Sequence, residues 1–96
     1  MNVEFDAEKD EANRRKHGLS LALAAAMDFD ETVVIPDERR DYGEARFRAF
    51  GPIHGRLHVL AFTMRGGTLR AVSLRKANPR KGRLYERRHR QPGMDG

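Results

Sequence analysis

Cysteine is absent from this 96-residue chain, which excludes disulfides and thiolate metal sites and makes a reducing cytoplasm the expected compartment. No stretch approaches the roughly 20 apolar residues that cross a bilayer. The opening Met1-Asn2-Val3-Glu4-Phe5-Asp6 shows no basic segment followed by an apolar run, so a soluble protein is expected. Aromatic residues are few and scattered, five Phe and two Tyr, which argues against a base-stacking sheet or an OB-type binder. No glycine-rich loop is placed to cradle phosphate, and Gly66-Gly67 reads instead as a two-residue hairpin turn. A chain of this length forms one domain, here residues 1–90 with a frayed tail at 91–96, and is too small for a deep enclosed pocket.

Positive charge is plentiful but unevenly placed. The chain carries a formal charge of +5 and a pI near 10.2. Residues 1–48 hold 8 Lys and Arg against 12 Asp and Glu, whereas residues 49–96 hold 11 against 2. An anionic partner is expected, and the second half is where phosphate would bind.

The pattern predicts an α+β domain. Val3 and Phe5 alternate with charged neighbours as a short strand or lead-in, and Asp6 stands as N-cap of a helix over about Ala7–His17. Acidic Glu8, Asp10 and Glu11 precede basic Arg14, Arg15, Lys16 and His17, the order the helix dipole favours, and Gly18 is the C-cap. Ser20 caps an expected second helix through Leu21, Leu23, Ala24, Ala25 and Met27, buried against a sheet. Thr32-Val33-Val34-Ile35 reads as a strand ended by Pro36. After a polar loop from Asp37 to Gly43, an antiparallel meander is expected over about Glu44–Phe50, Arg56–Arg65 and Thr68–Lys76. Its middle strand is apolar on both faces and should be central. With Gly66-Gly67 as the turn, a regular register sets Ala61 opposite Val72, Leu60 opposite Ser73 and His58 opposite Arg75. One face then carries Leu60, Phe62, Met64, Leu69 and Ala71, and one slip would exchange the faces. Asn78-Pro79 opens a short C-terminal helix to about Arg88.

Cleaving RNA without a metal needs a base for the 2′-hydroxyl, cations for the phosphate and an acid for the leaving oxygen. Arg46, Arg65, Arg70, Arg75 and Lys76 supply cations near strand ends, and guanidinium forks match phosphate oxygens. His17 or Glu44 can serve as base; His17, His54, His58 or Tyr85 can serve as acid. Each has a structural reading too. His17 suits a helix end, Glu44 can pair with a cross-strand cation, and His54 and His58 fit a loop and a strand. Arg83, Arg87, Arg88, His89 and Arg90 form a solvated helix face that can also attract RNA. Arg75, at a strand end and expected on the core side, needs a carboxylate or an anionic ligand.

From Val3 to Tyr85 the chain resembles the BrnT family of bacterial toxins. The resemblance rests on Phe5-Asp6, Asn13, Lys16-His17-Gly18, Ala25-Ala26-Met27-Asp28-Phe29-Asp30, Gly43-Glu44-Ala45-Arg46-Phe47-Arg48, Gly51, Ser73-Leu74-Arg75-Lys76-Ala77 and Tyr85. The family often has tryptophan where this chain has Phe5, and glutamate where it has Lys81. The resemblance implies a RelE-like fold and a ribonuclease of a type II toxin–antitoxin module that stops translation; from the residues we expect catalysis without metal or cofactor. It implies Lys16, His17, Glu44, Arg65 and Arg75 as candidates for the active site; we expect His17, Glu44, Arg65 and Arg75 to be catalytic and Lys16, Arg46, Arg70, Lys76 and Tyr85 to hold RNA. It also implies a DNA-binding, BrnA-like antitoxin that covers the toxin and represses their shared promoter. Two other readings remain from the residues alone: an RNA- or ribosome-binding module that does not cut, and a basic protein that only docks an acidic partner.

Overall fold

Asp6 starts the first helix as its side chain predicts. In the computed structural model, which describes residues 2–78 with residues 80, 82, 85 and 86, a short strand β1 (Val3–Glu4) leads into α1 (Ala7–His17). The Asp6 carboxylate accepts from the Glu8 and Lys9 amides, and Gly18 closes the helix in the left-handed region at φ 74°. A positive φ suits glycine, which has no Cβ to clash there.

The second expected helix is a 3₁₀ segment, Leu21–Ala26, followed by a 3₁₀ turn, Phe29–Glu31. Hydrogen bonds from Leu23 N–H to Ser20 C=O and from Met27 N–H to Ala24 C=O set its tighter pitch. Both ends are pinned: the Asp10 carboxylate accepts from the Leu21 amide and the Ser20 hydroxyl, and Met27 bridges to Ile53. Six residues between such anchors follow their contacts rather than the α-propensity of alanine.

Four further strands follow, β2 (Val33–Pro36), β3 (Phe47–Ile53), β4 (Arg56–Arg65) and β5 (Thr68–Lys76). The five-stranded sheet has the order β1-β5-β4-β3-β2. It is mixed, not a pure antiparallel meander, because β1 pairs parallel with β5 through Val3–Leu69 and Glu4–Arg70. As the sequence predicts, β4 is the central strand. His54 (φ 49°) and Gly55 (φ 78°) turn β3 into β4, and Gly66 and Gly67 (φ 58° and 81°) turn β4 into β5, both two-residue hairpins with positive φ at each central position. Beyond Asn78, the described residues Arg80, Gly82, Tyr85 and Glu86 are helical. The remaining positions of the expected C-terminal helix and tail, including Lys81, Arg83, Arg87, Arg88, His89 and Arg90, lie outside the described residues.

The β4–β5 register differs from the regular pairing in one respect. Arg65–Thr68, Met64–Leu69, Thr63–Arg70 and Phe62–Ala71 pair as expected, but Ala61 then faces Ser73, Leu60 faces Leu74, Val59 faces Arg75 and His58 faces Lys76. Val72 is an extra residue, a β-bulge that no local pattern announces. Beyond it Leu74 takes the core position that a regular strand would give Ser73. Met64, at the hairpin end of the expected apolar face, is 48% exposed.

Leu21, Ala24, Met27, Ala49, Ile53, Leu60, Phe62, Leu69, Ala71 and Leu74 form the core between the sheet and the helical layer. Complete burial of a leucine such as Leu60 contributes about 1.5–3 kcal/mol. Helix α1 adds no apolar stripe; its one buried residue is Asn13. Its carboxamide donates to the Leu19 and Leu74 carbonyls, and the Leu74 amide donates back to it, each at 2.9 Å. The helix is therefore fastened to the free edge of β5 by a polar clasp. No helix among the described residues is long and apolar enough to cross a membrane.

Two predictions concern stability. A Cβ on Gly51 would stand 1.9 Å from Thr32 Oγ1, whose hydroxyl donates to the Asp28 carbonyl. Gly51→Ala should therefore cost about 1–3 kcal/mol in urea unfolding, as overpacking does. His58 is buried, and its ring N–H bonds the Arg56 carbonyl at 2.6 Å. Burial holds its pKa below the ordinary 6.5, against the raising effect of the bond to the Arg56 carbonyl and with smaller lowering pushes from the charges of Arg56, Lys76 and His54. The unfolded chain then binds more protons, so stability present above about pH 6.5 declines as pH falls below it. His58→Gln should flatten that decline, measured by denaturation from pH 8 to pH 5.

Candidate functional site

Side-chain alternation and the bulge put a set of arginines on the sheet face opposite the core. On β4 that face shows Val59, Ala61, Thr63 and Arg65; on β3 it shows Arg48 and Phe50; on β5 it shows Arg70 and Arg75. Arg46, just before β3, continues the alternation of Arg48. Lys76, one residue past Arg75, pairs with buried His58 and belongs to the other face.

The nine candidate residues divide between two places and two outliers. The first place is an open cleft between the end of α1 and β5, lined by Lys9, Ala12, Asn13, Lys16, His17, Val72, Ser73 and Arg75. His17 is half-buried, and its pKa is lowered by desolvation first, then by the charges of Lys16 and Arg75. An imidazole that ordinarily titrates near 6.5 is thus neutral at pH 7 and can accept a proton. No carboxylate among the described residues pairs with Lys9, Lys16 or Arg75.

The second place is the hairpin end of the sheet. Arg65 forks onto Glu44, with Nη2 3.1 Å and Nε 3.3 Å from its carboxylate oxygens. Those bonds, then the charges of Arg65, Arg46 and Arg70, hold the Glu44 carboxyl below its ordinary value. Arg70 reaches Glu4 at 3.3 Å. The Arg46 guanidinium lies 3.8 Å above the Tyr42 ring. Tyr42 also donates to Asp37, a buried carboxylate that Arg39 grips through two bonds of 2.8 Å and holds far below the carboxylate range. That knot shapes the loop that delivers Glu44 and Arg46. Among the described residues, the buried Nε atoms of Arg46 and Arg48 and the Thr63 hydroxyl have no hydrogen-bond partner.

Arg75 faces Val59 and Arg65 lies six residues further along β4, so the two places are roughly 20 Å apart along the strand. Glu44 and His17 do not meet. The outliers are Lys76, on the far face, and Tyr85, whose hydroxyl donates to the Glu31 carbonyl on the β2 side of the sheet. Burial, then the charges of Glu31 and Asp28, raises the pKa of that phenol. His54 is in the β3–β4 turn and His58 is packed against its own strand, so neither lines the cleft. Asn13 does, and sequence reasoning gave it no role; the available signal was an asparagine that interrupts an otherwise charged helix.

A small α+β protein with one sheet face rich in guanidinium groups and a cation-lined cleft beside it suits a polyanionic ligand. Residues 5–81 match the family described as the ribonuclease toxin, BrnT, of type II toxin–antitoxin systems, and the chain belongs to that family. Membership makes it a ribonuclease toxin with a cognate antitoxin. No curated protein matches the chain.

The Glu44 carboxylate occupies the Arg65 guanidinium fork and neutralises its charge. Glu44→Gln should leave the fold intact and tighten binding of a short single-stranded RNA, with a steeper salt dependence, read by fluorescence anisotropy at several salt concentrations.

Proposed function

We propose that this chain is an endoribonuclease that cuts RNA with its own side chains, without a metal or cofactor, and so stops translation in the cytoplasm. The observation that carries the reading is a neutral His17 held among three cations, Lys9, Lys16 and Arg75, that have no carboxylate partner among the described residues. Such a lining repels a metal cation and attracts phosphate. His17 takes the proton of a 2′-hydroxyl, and the 2′-oxygen attacks the adjacent phosphorus. The bond to the 5′-oxygen breaks, leaving a 2′,3′-cyclic phosphate and a 5′-hydroxyl. Arg75 and Lys16 stabilise the negative charge that grows on the phosphoryl oxygens. The departing oxygen takes its proton from Lys16 or Lys9, whose side chains line the cleft.

The RNA backbone continues from the cleft across the sheet face, over Arg48, Arg70, Arg46 and Arg65. Guanidinium forks bind phosphate oxygens in pairs. Glu44 stays ionised and serves here to hold the Arg65 fork until a phosphate displaces it. Tyr85 and Lys76 have no part in this track. A DNA-binding antitoxin that covers the cleft is the partner such a toxin needs, and binding of the toxin to ribosomes is one setting in which it meets RNA.

Arg75→Ala should abolish growth inhibition and lower RNA cleavage by about 100-fold or more, the scale of losing one charge-stabilising group, without loss of folded protein. The measurement is induction in bacteria with mapping of new RNA 5′ ends, which registers free and ribosome-dependent cutting alike. Salt-dependent RNA binding without new ends would mean a binding module, and neither binding nor cleavage would mean a docking protein.

A further inference from the structure

We propose that Asn13 is a positioning residue, one whose carboxamide sets the distance between the His17 end of α1 and Arg75 on β5. The proposal rests on the ribonuclease reading for its effect on turnover, but the geometry stands by itself. Asn13 is 5% exposed, in the middle of a helix that buries no other side chain. Its Oδ1 accepts from the Leu74 N–H, and its Nδ2 donates to the Leu74 and Leu19 carbonyls. All three bonds are 2.9 Å long.

Leu74 immediately precedes Arg75, and Leu19 immediately follows the Gly18 cap of the His17 helix. The one carboxamide therefore grips both walls of the cleft next to the groups that face each other across it. β1 pairs with β5 at Leu69 and Arg70, so the Leu74 edge has no strand neighbour there, and Asn13 supplies the donor and acceptor that a strand would supply. An aspartate could accept from Leu74 but not donate, a leucine could do neither, and a lysine could not accept. Of the common side chains, an amide alone fits this pair of backbone groups at this length.

A helix with no apolar face has few other means of holding its place. Without the clasp α1 can slide or lift from β5 by a fraction of an ångström to an ångström, and such misplacement of reacting groups lowers turnover far more than binding.

The test uses Asn13→Ala and Asn13→Ser. Both are uncharged, so the electrostatic surroundings of His17 change only through distance from Lys9, Lys16 and Arg75. Ile53→Val, in the core away from the cleft, is the control, compared at temperatures giving equal folded fractions by circular dichroism. Two quantities are read: the steady-state kcat and KM on a short single-stranded RNA, and the NMR titration of the His17 ring. The expected result is a kcat lowered about tenfold or more with KM changed by less than about threefold, together with a His17 midpoint moved toward its ordinary value, and neither change in Ile53→Val. Wild-type kcat with an unmoved His17 titration in a folded Asn13 variant would overturn the proposal, as would an equal loss in Ile53→Val. Should the wild-type protein cut no RNA, the ribonuclease reading falls, while the His17 titration still decides the coupling: movement supports it and no movement refutes it. If Asn13→Ala does not fold, Asn13→Ser carries the same two readouts.

Discussion

The single extra residue in β5 decides which chemistry the sheet can present. Arg70 and Arg75 are five positions apart, an odd number, so a regular strand would point them to opposite faces. The bulge at Val72 shifts the register between Phe62–Ala71 and Ala61–Ser73 and brings Arg75 opposite Val59, on the face of Arg70, Thr63 and Arg65. The same shift returns Leu74 to the core beside Leu60, where both are completely buried. A regular strand would have offered Ser73 to the core and set Arg75 against His58. The bulge therefore satisfies packing and charge display at once, and bulges beside functional sites commonly re-aim a side chain in this way.

Once β5 is so arranged, its outer edge becomes the next constraint. β1 covers that edge at Leu69 and Arg70 only. The unpaired backbone at Leu74 would carry a desolvation cost if it were covered without partners. α1 covers it, and Asn13 supplies the partners. Edge protection and cleft construction are thus one event, since the helix that shields the strand also ends in Lys16 and His17. The charged sequence of α1, with no apolar face to bury, is compatible with this placement because the helix lies at the sheet margin, exposed on most of its surface.

Much of this fold was legible because it depends on local chemistry. Asp6 and Ser20 cap, Gly18 terminates and Gly66-Gly67 turns, each for reasons contained within a few residues. The centrality of β4 followed from apolar side chains on both of its faces. What could not be read depends on distant partners. The clasp joins Asn13 to Leu74, 61 positions away. The parallel pairing of β1 joins Val3 to Leu69. The 3₁₀ form of Leu21–Ala26 is imposed by Asp10 at one end and Ile53 at the other, against the α-propensity of an alanine-rich run. The candidate site was legible as residue types but not as geometry: His17, Lys16 and Arg75 do meet, whereas Glu44 and Arg65 meet each other at the far end of the hairpin, because the separation follows from strand length and register.

Charge follows the same division. At least half of the twelve acidic groups in the first half of the chain hold structure in this way: Asp6, Asp10 and Asp28 accept from backbone amides, Asp37 is gripped by Arg39, Glu4 by Arg70 and Glu44 by Arg65. Each of the last three neutralises a cation, so the net positive charge of the chain does not spread evenly. It stays uncompensated where no carboxylate reaches, and within the described residues that includes the cleft of Lys9, Lys16 and Arg75. A cleft of like charges opposes its own closure and lowers the basicity of any imidazole it encloses. Binding a phosphate relieves both effects. Desolvation first, and then the charges of Lys16 and Arg75, hold the His17 pKa down in the free protein, so an anionic ligand in the cleft would offset only the charge part of that depression.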